Sequence, residues 1–178
     1  LTLDEDLLAR ARRVRLVLLD VDGVLTDGVL GYGSSGDEGR SFFVRDGSAI
    51  KLLQAEGVPV GLITGRTTAA TALRAEELAL EEVHQGRRLK EPCFDEILAR
   101  RGLADEEVAF MGDDWLDLPL LRRAGLAAAP SDASAEARAA AHFVAASPGG
   151  RGAVRDLAEL VLRSRGAWEA AIARALAP

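Results

Sequence analysis

Short apolar runs recur along the chain, separated by segments in which apolar residues return every three or four positions. The runs read as buried strands and the periodic segments as helices. Strands are predicted at Arg15–Leu19, Val60–Ile63, Glu82–His84, Val108–Met111, Leu126–Ala129 and Phe143–Ala145. Helices are predicted over Leu1–Arg15, Gly47–Glu56, Thr67–Leu78, Lys90–Arg101, Asp114–Ala124, Ser134–Ala141, Ala153–Arg163 and Trp168–Leu176. Thr67 is a cap candidate, and Gly102 and Gly125 are stop signals. Val29–Gly33 and Arg40–Val44, joined by the turn-rich Ser34–Gly39, read as a protruding β-hairpin. Strands alternating with helices predict an α/β fold, a doubly wound (Rossmann-like) parallel sheet covered on both faces. Residues 1–178 read as one domain.

Composition narrows the function without naming it. Apolar residues at 48% and charged residues at 28% are ordinary for a globular chain. A formal net charge of -6 argues against a general nucleic-acid binder, which needs a basic surplus to release counterions. No apolar run approaches the ~20 residues that span a bilayer, so no membrane partner is expected. Leu1–Arg15 mixes acids and arginines with leucines and lacks the apolar centre of a signal peptide. The single Cys93 excludes an internal disulfide and a multi-cysteine zinc site, and a cytoplasmic location is expected. Arginines number 20 and lysines two, Lys51 and Lys90, which makes a retained lysine a functional candidate.

Chemistry-bearing residues gather at the ends of predicted strands, where open α/β sheets bind ligands. Asp20 and Asp22 follow the first strand, within Leu18-Leu19-Asp20-Val21-Asp22-Gly23-Val24-Leu25-Thr26. Thr64, with Gly65 and Arg66, follows Val60–Ile63; Lys90 opens the helix after Glu82–His84; Asp113, Asp114 and Asp117 follow Val108–Met111. Singly, each suits a turn, a solvated helix start or an acidic helix N-terminus. Together they supply what phosphoryl transfer needs. Two short patterns fail their structural tests. Gly31–Gly36 matches Gly-x-Gly-x-x-Gly but leads into a hairpin strand rather than a helix. An EF-hand loop counted from Asp20 has Val24 and Leu25 where oxygen and glycine are required.

A phosphate dianion repels nucleophiles, so its hydrolysis rests on positioning and charge neutralisation. Asp20 is the candidate nucleophile, forming an aspartyl phosphate. Asp22 is the candidate acid and base, which protonates the leaving alkoxide and later activates water. Mg²⁺ takes oxygen ligands, and Asp20 and Asp113 are candidates, with the backbone carbonyl of Asp22 as a third and Asp114 as ligand or support. Lys90 adds positive charge. Thr64 and the backbone N–H groups after Asp20 are candidate donors to the phosphate oxygens, and Gly23, Gly65 and Arg66 are candidate substrate contacts.

Asp20/Asp22, Thr64, Lys90 and Asp113/Asp114 resemble the four motifs of the haloacid dehalogenase (HAD) phosphatases. The 44 positions from Asp20 to Thr64 and the 26 from Thr64 to Lys90 leave no room for a separate cap domain, which resembles the capless branch. Within that branch the chain is similar to the 3-deoxy-D-manno-octulosonate 8-phosphate (Kdo 8-phosphate) phosphatases. The resemblance is carried by Leu25-Thr26-Asp27-Gly28, Phe43-Val44-Arg45-Asp46-Gly47, Gln85-Gly86, Asp117-Leu118-Pro119 and Gly149-Gly150-Arg151-Gly152-Ala153-Val154-Arg155. It implies a Mg²⁺-dependent hydrolase, a homotetramer, an eight-carbon acid sugar phosphate as substrate and a place in lipopolysaccharide precursor biosynthesis. Arg151 stands where that family often has His, and Asp156 where it often has Glu. Phosphatases of nine-carbon nonulosonate 9-phosphates, and a HAD-like module attached to sugar cytidylyltransferases, share the motifs and stand as alternatives. A phosphoacceptor receiver domain would instead carry its accepting Asp after the third strand, where this chain has His84-Gln85-Gly86.

A capless site needs cover. The hairpin, whose adjacent Phe42 and Phe43 cannot both face one side of a strand, and the glycine-rich segment bearing Arg151 and Arg155 are candidates to supply it. On this reading Arg151 or Arg155 reaches toward a substrate site, within the chain or in a neighbouring subunit.

Overall fold

The computed structural model describes residues 4–34 and 38–177. Residues 1–3 of the predicted first helix, 35–37 of the predicted hairpin turn and 178 lie outside the described residues. The strands are β1 (Leu16–Leu19), the hairpin strands β2 (Gly31–Tyr32) and β3 (Glu38–Gly39), β4 (Val60–Ile63), β5 (Glu82–His84), β6 (Val108–Met111), β7 (Leu126–Ala129) and β8 (Phe143–Val144). Six of them form one sheet in the order β5-β4-β1-β6-β7-β8, and every pairing in it is parallel. The helices are α1 (Glu5–Arg13), α2 (Val44–Ala55), α3 (Ala69–Glu77), α4 (Glu91–Arg101), α5 (Leu118–Leu121), α6 (Ala135–Ala140), α7 (Ala153–Ser164) and α8 (Trp168–Ala175).

Both faces of the four inner strands β4, β1, β6 and β7 are buried, which is why they read as continuous apolar runs. Val17 and Leu19 pack with Ile50, Leu53, Leu157 and Val161 under α2 and α7. Leu16 and Leu18 point the other way, into Phe94, Ile97 and Leu120 of α4 and α5. From β1 the chain builds outward through β4 to β5, then crosses back to β6 on the other side. The crevice beyond β1 and β6 is therefore the point where strand order reverses, the usual ligand position in such sheets.

Four sequence expectations need correction. The hairpin strands are only two residues long each, and Arg40–Val44 is not a strand: residues 40–43 are irregular and Val44 already belongs to α2. This early helix start turns Asp46 inward, where its carboxylate accepts from the backbone N–H of Gly152 at 3.2 Å and of Arg155 at 2.9 Å. The first turn of α7 is thus satisfied by a residue on α2. Thr68, not Thr67, caps α3, accepting from the Thr71 N–H at 3.1 Å. The predicted helix Asp114–Ala124 is a 3-10 turn at Trp115–Asp117 followed by the short α5. Asp117 shortens it by folding its carboxylate back onto the preceding backbone. Phe42 is partly buried against the α2 side of the core, and the Arg74 guanidinium lies 5.7 Å from its ring.

Candidate active site

Asp20 follows β1 and is 8% exposed, its backbone N–H held by the Met111 carbonyl at 2.9 Å. Its Oδ1 lies 2.8 Å from Nζ of Lys90, and the same Nζ donates to Oδ1 of Asp117 at 2.5 Å. Oδ2 of Asp117 accepts from the backbone N–H of Asp113 at 3.0 Å and of Asp114 at 3.5 Å. One carboxylate oxygen each from Asp20, Asp113 and Asp117 lie within 4.8 Å of one another. Thr64, after β4, is 2% exposed, with its backbone N–H on the His84 carbonyl at 2.9 Å. A cavity of about 350 Å³ is lined by these residues together with Asp22, Gly65, Arg66, Arg88 and Asp114.

Gly23 adopts φ +87°, and a Cβ there would lie 2.1 Å from Oδ2 of Asp113. The Asp-x-Asp-Gly loop therefore meets the Asp113 loop with no room for a side chain between them. The glycine-rich segment supports the loop from behind. The Gly150 N–H donates to the Val24 carbonyl at 2.9 Å, and the Gly149 N–H to Oδ1 of Asp132 at 2.9 Å.

The electrostatics suit a divalent cation. One ammonium, Lys90, faces the three clustered carboxylates, so the group is over-charged when all are ionised. Burial raises the pKa of Asp20, with Lys90 opposing. Burial and the charges of Asp20, Asp117 and Asp114 push Asp113 up to about 8. For Lys90 burial acts downward, but Asp20 and Asp117 outweigh it and hold its pKa above the usual lysine value. Hard oxygen donors with unrelieved negative charge are the donor set Mg²⁺ takes. Asp117 already spends both oxygens on Lys90 and the backbone, which leaves Asp20 and Asp113 as the carboxylates open to the ion.

The structure brings Asp20, Asp22, Thr64, Gly65, Arg66, Lys90, Asp113 and Asp114 around one cavity. Gly23 sits against Asp113, behind it. The side chain of Asp22 turns toward Arg40, whose Nε lies 2.7 Å from its Oδ1. Arg151 and Arg155 line different pockets in this chain. Arg151 is 3.6 Å from Asp27 and largely exposed, and Arg155 lies 5.7 Å from the Trp168 ring, in the groove between α2 and α8. Three residues escaped sequence reading. Asp117 stood out as acidic but received no role, although a carboxylate four residues after Asp113 on an apolar turn is a signal for a buried partner. Arg40 and Glu38 carried no signal, because they reach the site from the hairpin.

Residues 89–155 match the haloacid dehalogenase-like hydrolase family. Over 161 residues the chain is 38% identical to the 3-deoxy-D-manno-octulosonate 8-phosphate phosphatase KdsC of Escherichia coli K12, covering 90% of this chain and 86% of that protein. The chain belongs to this phosphatase family of the HAD-like hydrolases. The crystal structure of the Moraxella catarrhalis 3-deoxy-D-manno-octulosonate 8-phosphate phosphatase, in complex with magnesium ion, phosphate ion and Kdo, is 32% identical with a TM-score of 0.93, over 95% of this chain and 97% of that one. The Yersinia pestis enzyme of the same name is 37% identical with a TM-score of 0.92, over 94% of this chain and 90% of that one.

Proposed function

We propose that this chain is a Mg²⁺-dependent phosphomonoesterase that hydrolyses Kdo 8-phosphate to Kdo and phosphate, in lipopolysaccharide precursor biosynthesis. The observation that carries the reading is the buried Asp20 carboxylate at the end of β1, paired with Lys90 and clustered with Asp113. Asp20 attacks phosphorus, and the bond from phosphorus to the sugar oxygen breaks. Asp22 gives that oxygen its proton. Asp22 then takes a proton from water as the water attacks the aspartyl phosphate, which releases phosphate and restores Asp20. Lys90 holds Asp20 in place and offsets charge on the phosphoryl group. Thr64 and Gly65 serve the phosphate oxygens, Arg66 on the same cavity wall is the substrate contact, and Gly23 lets the Asp20 loop approach Asp113. Asp20, Asp113 and the Asp22 carbonyl, with Asp114 beside them, would hold Mg²⁺, which supplies further neutralisation of the phosphate.

The enzyme works as a single-domain cytoplasmic homotetramer in this reading. Val29 and Tyr32 on the hairpin are 69% and 65% exposed, and such apolar residues on a protruding element suit burial between subunits. Arg151, beside Asp27, and Arg155, beside Trp168, lie outside the chain's own cavity and in this reading serve a neighbour's site. The test is a panel of sugar phosphates with Mg²⁺, ranked by kcat/KM. Kdo 8-phosphate should rank first, above nine-carbon acid sugar phosphates and neutral hexose phosphates. A nine-carbon substrate in first place, or equal values across the panel, would overturn the substrate assignment.

A further inference from the structure

The hairpin meets the site through one buried arginine. The Arg40 side chain is 1% exposed, with Nε 2.7 Å from Oδ1 of Asp22 and Nη1 2.7 Å from Oε1 of Glu38. The same Glu38 oxygen lies 2.7 Å from Nη2 of Arg66. A chain of ion pairs therefore runs from Asp22 through Arg40 and Glu38 to Arg66, and its two ends both line the cavity. Two-residue strands cannot hold a hairpin by themselves. The exposure of Val29 and Tyr32 shows that those side chains do not dock it. A buried guanidinium is costly unless charged partners face it, so Arg40 ties the hairpin to the place where those partners are.

We propose that Arg40 is a positioning residue, which fixes the carboxylate of Asp22 for its exchange with the leaving oxygen and thereby makes the hairpin part of the catalytic apparatus. The proposal rests on the phosphatase reading above and on the role of Asp22 within it. Among the described residues Arg40 is the one cation paired with Asp22. Its Nε contact is close without hydrogen-bond alignment, and its Nη2 has no hydrogen-bond partner among the described residues. An ion pair of this kind sets where the carboxylate sits while leaving its lone pairs available for the reacting oxygen. A misplacement of ~1 Å in such a group costs on the order of 100-fold in rate.

The experiment compares a substrate whose leaving alkoxide needs a proton, Kdo 8-phosphate, with p-nitrophenyl phosphate, whose leaving group does not. Wild type, Asp22→Asn, Arg40→Gln and Arg40→Lys are assayed at saturating Mg²⁺. In Arg40→Gln, kcat on the sugar phosphate should fall about 10- to 100-fold and kcat on the aryl phosphate several-fold less, the same split as in Asp22→Asn. Arg40→Lys keeps the charge and should recover part of the loss. An arginine that merely holds the hairpin folded would lower both substrates alike. Equal losses, or a loss confined to KM, would overturn the proposal, as would unchanged kcat. If Arg40→Gln does not fold, Arg40→Lys decides by the same split, whose absence is again contradictory. Failure of wild type to hydrolyse Kdo 8-phosphate would refute the substrate assignment rather than the role of Arg40. The split is then read between the best alkyl phosphate of the sugar panel and the aryl phosphate, and the same outcomes decide.

Discussion

Gly149 rests directly on Gly23: a Cβ at residue 149 would lie 1.8 Å from the Gly23 carbonyl oxygen. Gly23 in turn has no space between itself and Asp113. The glycine-rich segment therefore sets the position of the Asp-x-Asp-Gly loop, and through it the distance between the carboxylates of Asp20 and Asp113. Gly149→Ala must displace backbone rather than a flexible side chain. It should lower kcat about 100-fold, the scale of a ~1 Å misplacement, and raise the Mg²⁺ concentration that gives half-maximal activity. Steady-state assays over a Mg²⁺ series check this, and wild-type values in both measurements would show that the two loops move independently.

Asp117 is the second partner of Lys90 and the acceptor for two backbone N–H groups. Asp117→Asn leaves Lys90 paired with Asp20 but puts an amide where Lys90 and two backbone N–H groups need acceptors, and a buried donor that loses its partner costs ~1–3 kcal/mol. The expected outcome is a large fall in melting temperature together with a fall in kcat, since Lys90 and the Asp113 backbone lose the same anchor. A variant with normal stability and normal kcat would contradict this arrangement.

How far the sequence could be read depended on where each constraint lies. The four inner strands β4, β1, β6 and β7 were legible because both their faces are buried, which leaves runs such as Leu16–Leu19 with no polar position. Asp20, Thr64 and Asp113 were legible for the same reason, since each closely follows such a run, whereas Lys90 was legible as one of two lysines in an arginine-rich chain. The segment Asp114–Ala124 reads as one helix because its apolar spacing is helical, while the carboxylate of Asp117 folds back and breaks the first turn. The segments Phe43–Gly47 and Gly149–Arg155, which carry the family resemblance in sequence, bind each other in the fold, with Asp46 capping α7. Nothing local announces a partner more than a hundred residues away. Arg40 was illegible on the same ground, as one more arginine in an arginine-rich chain.

Glu82 provides a pH-dependent check on the far edge of the sheet. Burial acts upward on its pKa, but hydrogen bonds from His84, Arg100 and Arg101 outweigh it and hold the carboxyl at about 2, against an ordinary 4.5. A depressed carboxylate stabilises the fold fully above its unfolded value. That contribution is lost as pH falls from 4.5 toward about 2. Glu82→Gln should cost about 3 kcal/mol at neutral pH and much less near the lower end of this window. Urea unfolding of both proteins across the window measures the difference, and a gap that stays constant with pH would contradict the assignment.

Asp113 gives the opposite sign. Its pKa of about 8 in the metal-free site exceeds the ordinary 3.8, so between these values the folded chain keeps a proton that the unfolded chain has lost. Metal-free stability should therefore fall as pH rises through that window. Mg²⁺ selects the ionised carboxylate, and the rise in melting temperature on adding it should grow with pH, reaching about 5 °C on a scale of ~2–4 °C per kcal/mol. Asp113→Asn should weaken the pH trend, leaving the part that comes from the raised Asp20 carboxyl, and should remove most of the Mg²⁺ effect. Thermal melting with Mg²⁺ and with chelator, at several pH values, reads this directly; a Mg²⁺ effect independent of pH would contradict the placement of the ion.

The central claim is that Asp20 carries the phosphoryl group of Kdo 8-phosphate with Mg²⁺ beside it. Phosphate release from Kdo 8-phosphate is to be measured for wild type with Mg²⁺, for wild type in excess chelator, and for Asp20→Asn with Mg²⁺, each protein first shown to be folded. The account predicts steady turnover in the first case and near-complete loss in the other two. Substantial turnover by Asp20→Asn, or by wild type without a divalent cation, would contradict it.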